Sequence, residues 1–166
     1  MYIELMFLCV NIDDFNKEKI LINNKIRNNI ITNSFFYRVY YSDSEFISNG
    51  IVIDFYLKDV KFEKYFNKCK IIFNKHANMD IVRKLNKIEN DLLTSLNVDK
   101  RKKKFLIKEQ IDNNFLKIIH DKGLNRDKIN KSMNKCRFII KISGLWESKI
   151  EYGLTFRCIK VENQYN

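Results

Sequence analysis

The chain has 166 residues, enough for one ordinary domain with a buried core, whereas two independent domains of half that length would each be thin. Hydrophobic residues make up 45% and aromatic residues 13%, which excludes an intrinsically disordered chain. The formal charge of +11, from 31 Lys and Arg against 20 Asp and Glu, attracts a polyanion by steering and counterion release, although the abundance of Lys, Asn and Ile also reads as the bias of an AT-rich genome.

The opening run, Met1 to Val10, is apolar but too short to span a bilayer, is interrupted by Glu4 and has no basic segment before it, so it is expected to be a first strand rather than a signal peptide. Further strand-like runs follow at Lys19 to Ile22, Phe35 to Tyr41, Ile51 to Leu57 and Lys70 to Phe73. Ser42-Asp43-Ser44-Glu45 and Ser48-Asn49-Gly50 supply the side-chain acceptors and the positive-φ tolerance that turns need. Periodicity then changes. Ile81, Leu85, Ile88, Leu92 and Leu96 recur at three- to four-residue spacing, which predicts an amphipathic helix over about 78–97, with Asn78 or Asp80 as its N-cap. The next stretch, Val98 to Asp121, has no clear period; it opens with a basic run read as an exposed loop over about 99–104 and is closed by Gly123. Leu124 to Lys135 reads as a polar loop. Phe138, Ile140 and Ile142 then alternate with polar positions and meet a second run, Leu154 to Val161, as a hairpin with a connection from Glu147 to Gly153.

Four cysteines, Cys9, Cys69, Cys136 and Cys158, are far apart and form no CxxC pair, so a zinc site is not expected and a reducing, intracellular setting fits. His76 and His120 stand alone. No nucleophile elbow, Walker loop or paired metal-ligating His motif is present, and no catalytic residue, metal or cofactor is expected; Asp54, Asp59 and Glu63 would support a nuclease only if they converged in space.

Successive side chains of a strand point to opposite faces, so alternation alone assigns residues to a face. In the first aromatic run, Phe35, Tyr37, Val39 and Tyr41 form an expected core face, and Phe36, Arg38 and Tyr40 the opposite one, with a cation between two rings suited to stacking bases and holding a phosphate. In the terminal hairpin Leu154, Phe156 and Cys158 join Phe138, Ile140 and Ile142 inside. That leaves Arg137, Lys141, Thr155 and Arg157 outside. Lys100 and its neighbours Arg101, Lys102, Lys103 and Lys104 form the densest cationic run, read as the rim of a nucleic-acid channel or as a nuclear localisation signal. Trp146 and Tyr152 complete the candidate contacts at the base of the hairpin, Trp146 as either a core plug or a stacking platform.

Three stretches carry a resemblance: Asn33-Ser34-Phe35-Phe36-Tyr37-Arg38-Val39-Tyr40-Tyr41-Ser42, Asn49-Gly50-Ile51, and Lys141 to Glu147 with Tyr152 to Arg157. The chain resembles OB-fold single-stranded-DNA-binding-like proteins of nucleocytoplasmic large DNA viruses, which in turn resemble distantly the single-stranded DNA-binding proteins of podoviral phages. The resemblance covers roughly residues 33–161 and implies a mainly β fold with an inserted helix, an OB-like antiparallel barrel of five or slightly more strands; with the length of the chain, a single OB-like domain over 1–166 is expected. It also implies sequence-tolerant binding of single-stranded DNA, or RNA, in viral replication, recombination or repair. By position, Phe36, Arg38, Tyr40, Lys141, Trp146 and Arg157 would contact the strand. Viral replication proteins would be partners, no membrane would be involved, and the setting would be the host cytoplasm or nucleus at replication sites, or the virion. Oligomeric state stays open. The phage proteins end in a long acidic tail that this chain's last residues, Val161 to Asn166, do not reproduce. The rival expectation is a scaffold protein that binds protein partners through the same barrel.

Overall fold

The computed structural model describes residues 9–28, 32–65, 68–96, 98, 100–118 and 132–163. Most of the opening run, and the segment 119–131 with His120 and Gly123, lie outside the described residues. The chain is mainly β. Its strands are β1 (Val10–Asn11), β2 (Ile20–Ile22), β3 (Ile26–Arg27), β4 (Phe35–Ser42), β5 (Ile47–Asn49), β6 (Ile51–Tyr65), β7 (Lys68–Phe73), β8 (Lys102–Lys104), β9 (Phe115–Ile118), β10 (Ser132–Glu147) and β11 (Glu151–Asn163), with helices α1 (Met79–Leu96) and α2 (Leu106–Asp112).

β10 is the central strand. One edge pairs with β11 from Cys136 to Glu147; the other pairs with β6 up to Ile142 and with β4 from Gly144 to Glu147, all antiparallel. β6 continues to β7 and β9, while β4 carries the short strands β2, β3 and β5. β8 adds in parallel to β11, and β1 in parallel to β6. Among the described residues β8 and β9 each pair with one neighbour only, so the expected barrel is corrected to an open sheet. The reason is what covers the apolar face. Val82, Leu85, Ile88, Leu92 and Leu93 of α1 and Ile107 and Ile111 of α2 share one core with Phe55, Phe62, Phe138, Ile140 and Leu154, so helices seal the surface that a barrel would seal by curling. Phe55 and Phe138, opposite one another on β6 and β10, anchor this core with ring centroids 5.9 Å apart.

The long strands keep one face inward only by slipping phase. In β6 the buried positions Ile51, Ile53, Phe55 and Leu57 are followed by Val60 and Phe62; the phase changes at Asp59, whose φ is +54°, while the register against β10 is kept. β10 slips between Ile142 and Gly144, after which Leu145 rather than Gly144 points inward; β11 slips opposite Ile139/Ile140, so that burial moves from Cys158 to Val161.

Helix α1 agrees with the expected span, but neither expected N-cap acts as one. Asn74 Oδ1 accepts from the His76 and Ala77 backbone N–H groups (2.9 and 3.4 Å) at the start of a 3-10 turn leading into α1. The Asn78 side chain instead docks on β6, accepting from Lys58 N (2.7 Å) and donating to Lys58 O (2.9 Å), and Asp80 pairs with Lys84. Two loops expected from composition are strand: residues 132–135 belong to β10, and the hairpin connection is only Ser148 to Ile150. Of the basic run, Lys100 and Arg101 are turn and loop as expected, but the rest is strand. Lys102 to Lys104 pair in parallel with Glu151 to Gly153, because the free edge of β11 satisfies their backbone groups. Burial pushes the Cys158 thiol up to about 12.

Candidate functional site

Residues directly opposite one another in an antiparallel ladder share a face. On β11 the alternation from Tyr152 to Cys158 buries Tyr152, Leu154 and Cys158 on one face and sets Thr155 and Arg157, both exposed, and Gly153, covered by Trp146, on the other. Their partners on β10 are Trp146, Gly144 and Lys141, and the next strand, β4, sets Phe36 against Trp146 and Arg38 against Gly144. Tyr40 follows two residues on from Arg38, opposite Leu21 and bridged to Gly50. The outer face of three strands thus brings together Phe36, Arg38, Tyr40, Lys141, Trp146, Thr155 and Arg157. Arg157 and Gly153, at its two ends, are four residues apart, or ~13 Å along the strand.

Two glycines shape this face. An added Cβ at Gly144 would lie 2.5 Å from Phe36 Cζ and 2.3 Å from Tyr37 O, and one at Gly153 would lie 2.8 Å from Trp146 Cζ2. Both rings therefore rest on bare backbone. Trp146 Nε1 donates to Leu154 O at 3.2 Å, which holds the indole over Gly153. Trp146 and Phe36 are half-buried, with one side of each ring against the sheet.

Charge divides the face along β10. At one end Arg137 donates to Asp54 through Nε (2.8 Å) and Nη2 and to Glu162 through Nη1 (3.1 Å), while Lys160 pairs with Glu162 at 2.5 Å. The Asp54 hydrogen bond holds the Arg137 guanidinium firmly charged. The expectation that Arg137 is a phosphate contact is corrected: its donors are committed to two carboxylates. At the other end Arg38 and Arg157 are exposed, Lys141 is half-buried over Gly50, and among the described residues none of the three has an acidic partner.

The basic run divides as well. Arg101 pairs with the buried carboxylate of Glu147, which also accepts from the Tyr37 hydroxyl; desolvation raises the Tyr37 pKa and keeps it a donor. Lys103 reaches to α1 and donates to Thr94 Oγ1 at 2.8 Å, Lys104 pairs with Glu151 at 3.5 Å, and Lys102 is exposed. The run is thus a bonded edge rather than a free channel rim. Tyr152, 2% exposed, belongs to the inner face and is also corrected as a contact.

Asp54, Asp59 and Glu63 do not converge. Asp54 serves Arg137, Glu63 pairs with Lys61 and Lys70, and among the described residues no group of three His, Cys, Asp or Glu is placed to hold a metal ion. No described helix is long and apolar enough to cross a membrane.

Residues that the sequence did not single out also matter. Glu89, fully buried, accepts from Ile107 N and Lys108 N (both 2.8 Å) and so caps α2 from α1; the signal was an acid on the apolar stripe, four residues after Leu85 and three before Leu92. Arg27 and Lys149 flank a cavity at the hairpin end of the sheet, on the side of Phe35 rather than Phe36, and no spacing in the chain marks them. In comparisons with known proteins, no family model, curated protein or solved structure matches this chain.

Proposed function

We propose that the outer face of β4, β10 and β11 binds single-stranded nucleic acid, with DNA as the substrate, and coats it without sequence preference. The observation that carries this reading is the joining of Phe36, Tyr40 and Trp146 with Arg38, Lys141 and Arg157 on one face, the three cations having no acidic partner among the described residues. Cations track the phosphate backbone while rings accept bases; every base has a π-face, so the scheme tolerates any sequence. Stacking contributes ~1–3 kcal/mol per base, and three phosphate contacts give a salt slope of about −2 for a single strand. A duplex keeps its bases stacked inside, out of reach of rings set flat on a sheet. The resemblance to OB-fold single-strand-binding proteins of large DNA viruses belongs with this reading, and with it a role in viral replication, recombination or repair.

Fluorescence titration with single-stranded and duplex oligonucleotides over a salt series tests it. Single strands should bind more tightly, and Phe36→Ala and Tyr40→Ala should weaken that binding while the melting temperature barely moves. Equal affinity for the two forms would reduce the surface to a generic polyanion binder.

A second reading, a scaffold that binds a protein partner, is favoured by exposed apolar residues around β4: Leu21 (49%) opposite Tyr40, Ile26 (46%) opposite Phe36, and Ile47 (63%) on β5. Leu21→Ser with Ile26→Ser should leave oligonucleotide affinity unchanged under the first reading.

A further inference from the structure

Beyond the rings, at the hairpin end of β10, the described residues Arg27, Asn33, Ser34, Phe35, Arg101, Ser148 and Lys149 enclose a cavity of about 400 Å³. Four separate parts of the chain meet there: β3, the approach to β4, the residue before β8 and the hairpin turn. Its lining holds three cations and no carboxylate. Arg101 is tied to Glu147 behind it, but Arg27 and Lys149 are exposed and have no partner among the described residues. The Phe35 ring supplies an apolar wall, with Lys25 Nζ 4.6 Å from its centroid.

We propose that this cavity receives the terminal nucleotide of a strand through its phosphomonoester. This deepens, and rests on, the reading of the outer face as a single-strand surface. Charge and size both point to an end group. A monoester phosphate carries nearly two negative charges at neutral pH against one for an internal diester, and offers three oxygens to donors arriving from different sides. The guanidinium of Arg27 comes from β3 and the ammonium of Lys149 from the hairpin turn, and the Asn33 amide adds a neutral donor from the approach to β4. The space exceeds what one phosphate fills and falls within the range of small-molecule sites, so a sugar or base against Phe35 fits with it. Arg27 and Glu147 both stand across from Phe35, so the cavity opens on the side of the sheet away from Trp146, and a strand on the outer face reaches it by turning over the hairpin end, two residues past Trp146.

The test compares one oligonucleotide in three forms, 5′-phosphorylated, 3′-phosphorylated and unphosphorylated, by fluorescence anisotropy, with thymidine 5′-monophosphate titrated separately. One phosphorylated form should bind about ten-fold more tightly than the unphosphorylated strand, the worth of one charge-assisted hydrogen bond. Arg27→Ala and Lys149→Ala, both at exposed positions and checked by thermal melting, should each abolish most of that preference. Strands that bind equally with and without an end phosphate would overturn the pocket and leave the face standing. A preference that survives both substitutions would also overturn it. Saturable binding of the mononucleotide, lost in Arg27→Ala, with no binding of any strand, would support the pocket and sink the single-strand surface.

Discussion

Gly144 and Gly153 carry no side chain where two rings lie against the sheet, and this steric requirement is sharper than any propensity argument. At Gly144 an added Cβ meets a backbone carbonyl, Tyr37 O, at 2.3 Å, and β4 is hydrogen-bonded to β10 at that point, so the carbonyl cannot retreat alone. At Gly153 the nearest atoms belong to the Trp146 ring, which can tilt. Gly144→Ala should therefore cost ~1–3 kcal/mol in urea unfolding, and Gly153→Ala less, while shifting the tryptophan emission because the indole lifts from the strand. Equal costs at the two sites would mean that the β4 and β10 backbones adjust more freely than their pairing implies. The same scale explains why Trp146 escaped a reading by alternation. Counting by twos from Phe138 puts it inside; the slip at Ser143 turns it out.

At the scale of an element, α2 is only seven residues long and begins with buried backbone donors, so it depends on a cap from elsewhere. Glu89 supplies it across the interface with α1, and Glu89→Ala should cost ~1–3 kcal/mol by leaving two N–H groups without an acceptor. Burial raises the Glu89 pKa above its ordinary 4.5, backbone hydrogen bonds from the start of α2 opposing that rise in part. A carboxyl held above its ordinary value binds its proton more tightly in the folded chain than in the unfolded one. Its contribution is complete below pH 4.5 and is lost as pH rises through the folded value. Asp112, at the other end of α2, has the opposite sign: hydrogen bonds from Lys108 and Lys75 lower it below 3.8, and that contribution is lost as pH falls. Urea unfolding of wild type and Glu89→Gln over about pH 4 to 8 separates the two. The stability difference between them should shift in favour of the variant as pH rises, and a pH-independent difference would refute the assignment to Glu89.

For the molecule as a whole, the excess of 31 cationic over 20 acidic residues matters less than its distribution. Lys160, Arg137, Arg101, Lys103 and Lys104 are engaged by carboxylates or a hydroxyl, whereas Arg38, Lys141 and Arg157 share a face that no paired acid neutralises among the described residues. The proposed surface thus makes an asymmetric prediction. Arg38→Ala and Arg157→Ala should each flatten the salt dependence of single-strand binding by ~0.7, and Arg137→Ala should leave the slope alone while lowering stability by leaving the buried Asp54 carboxylate without its ion pair. If Arg137→Ala changes the slope as much as Arg157→Ala, the division of the face into a neutralised and a basic end is wrong.

How much of this was legible depends on how far apart the deciding residues lie. Local periodicity was sufficient for α1, for most strands, for the inward set Phe138, Ile140, Ile142, Leu154 and Cys158, and for the outward position of Arg38, Lys141 and Arg157, because each requires only the two-residue or 3.6-residue repeat of its own element. Tyr152, read as a contact at the base of the hairpin, lies two residues before Leu154 on the same buried alternation, which by itself would have turned it inward. The pairing of Arg137 with Asp54, 83 positions away, was not legible, nor was the docking of the basic run on the edge of β11. Nor was the open sheet. By itself, then, the amino-acid order determined α1, most of the long strands and which way most side chains face within each, but neither α2 nor the strand character of the basic run and of residues 132–135. Tertiary structure alone decided which faces are joined, where the phase slips, and which cations are left without acids, because those outcomes depend on register between strands whose partners are remote in the chain and on helices that take over the work of closing the core.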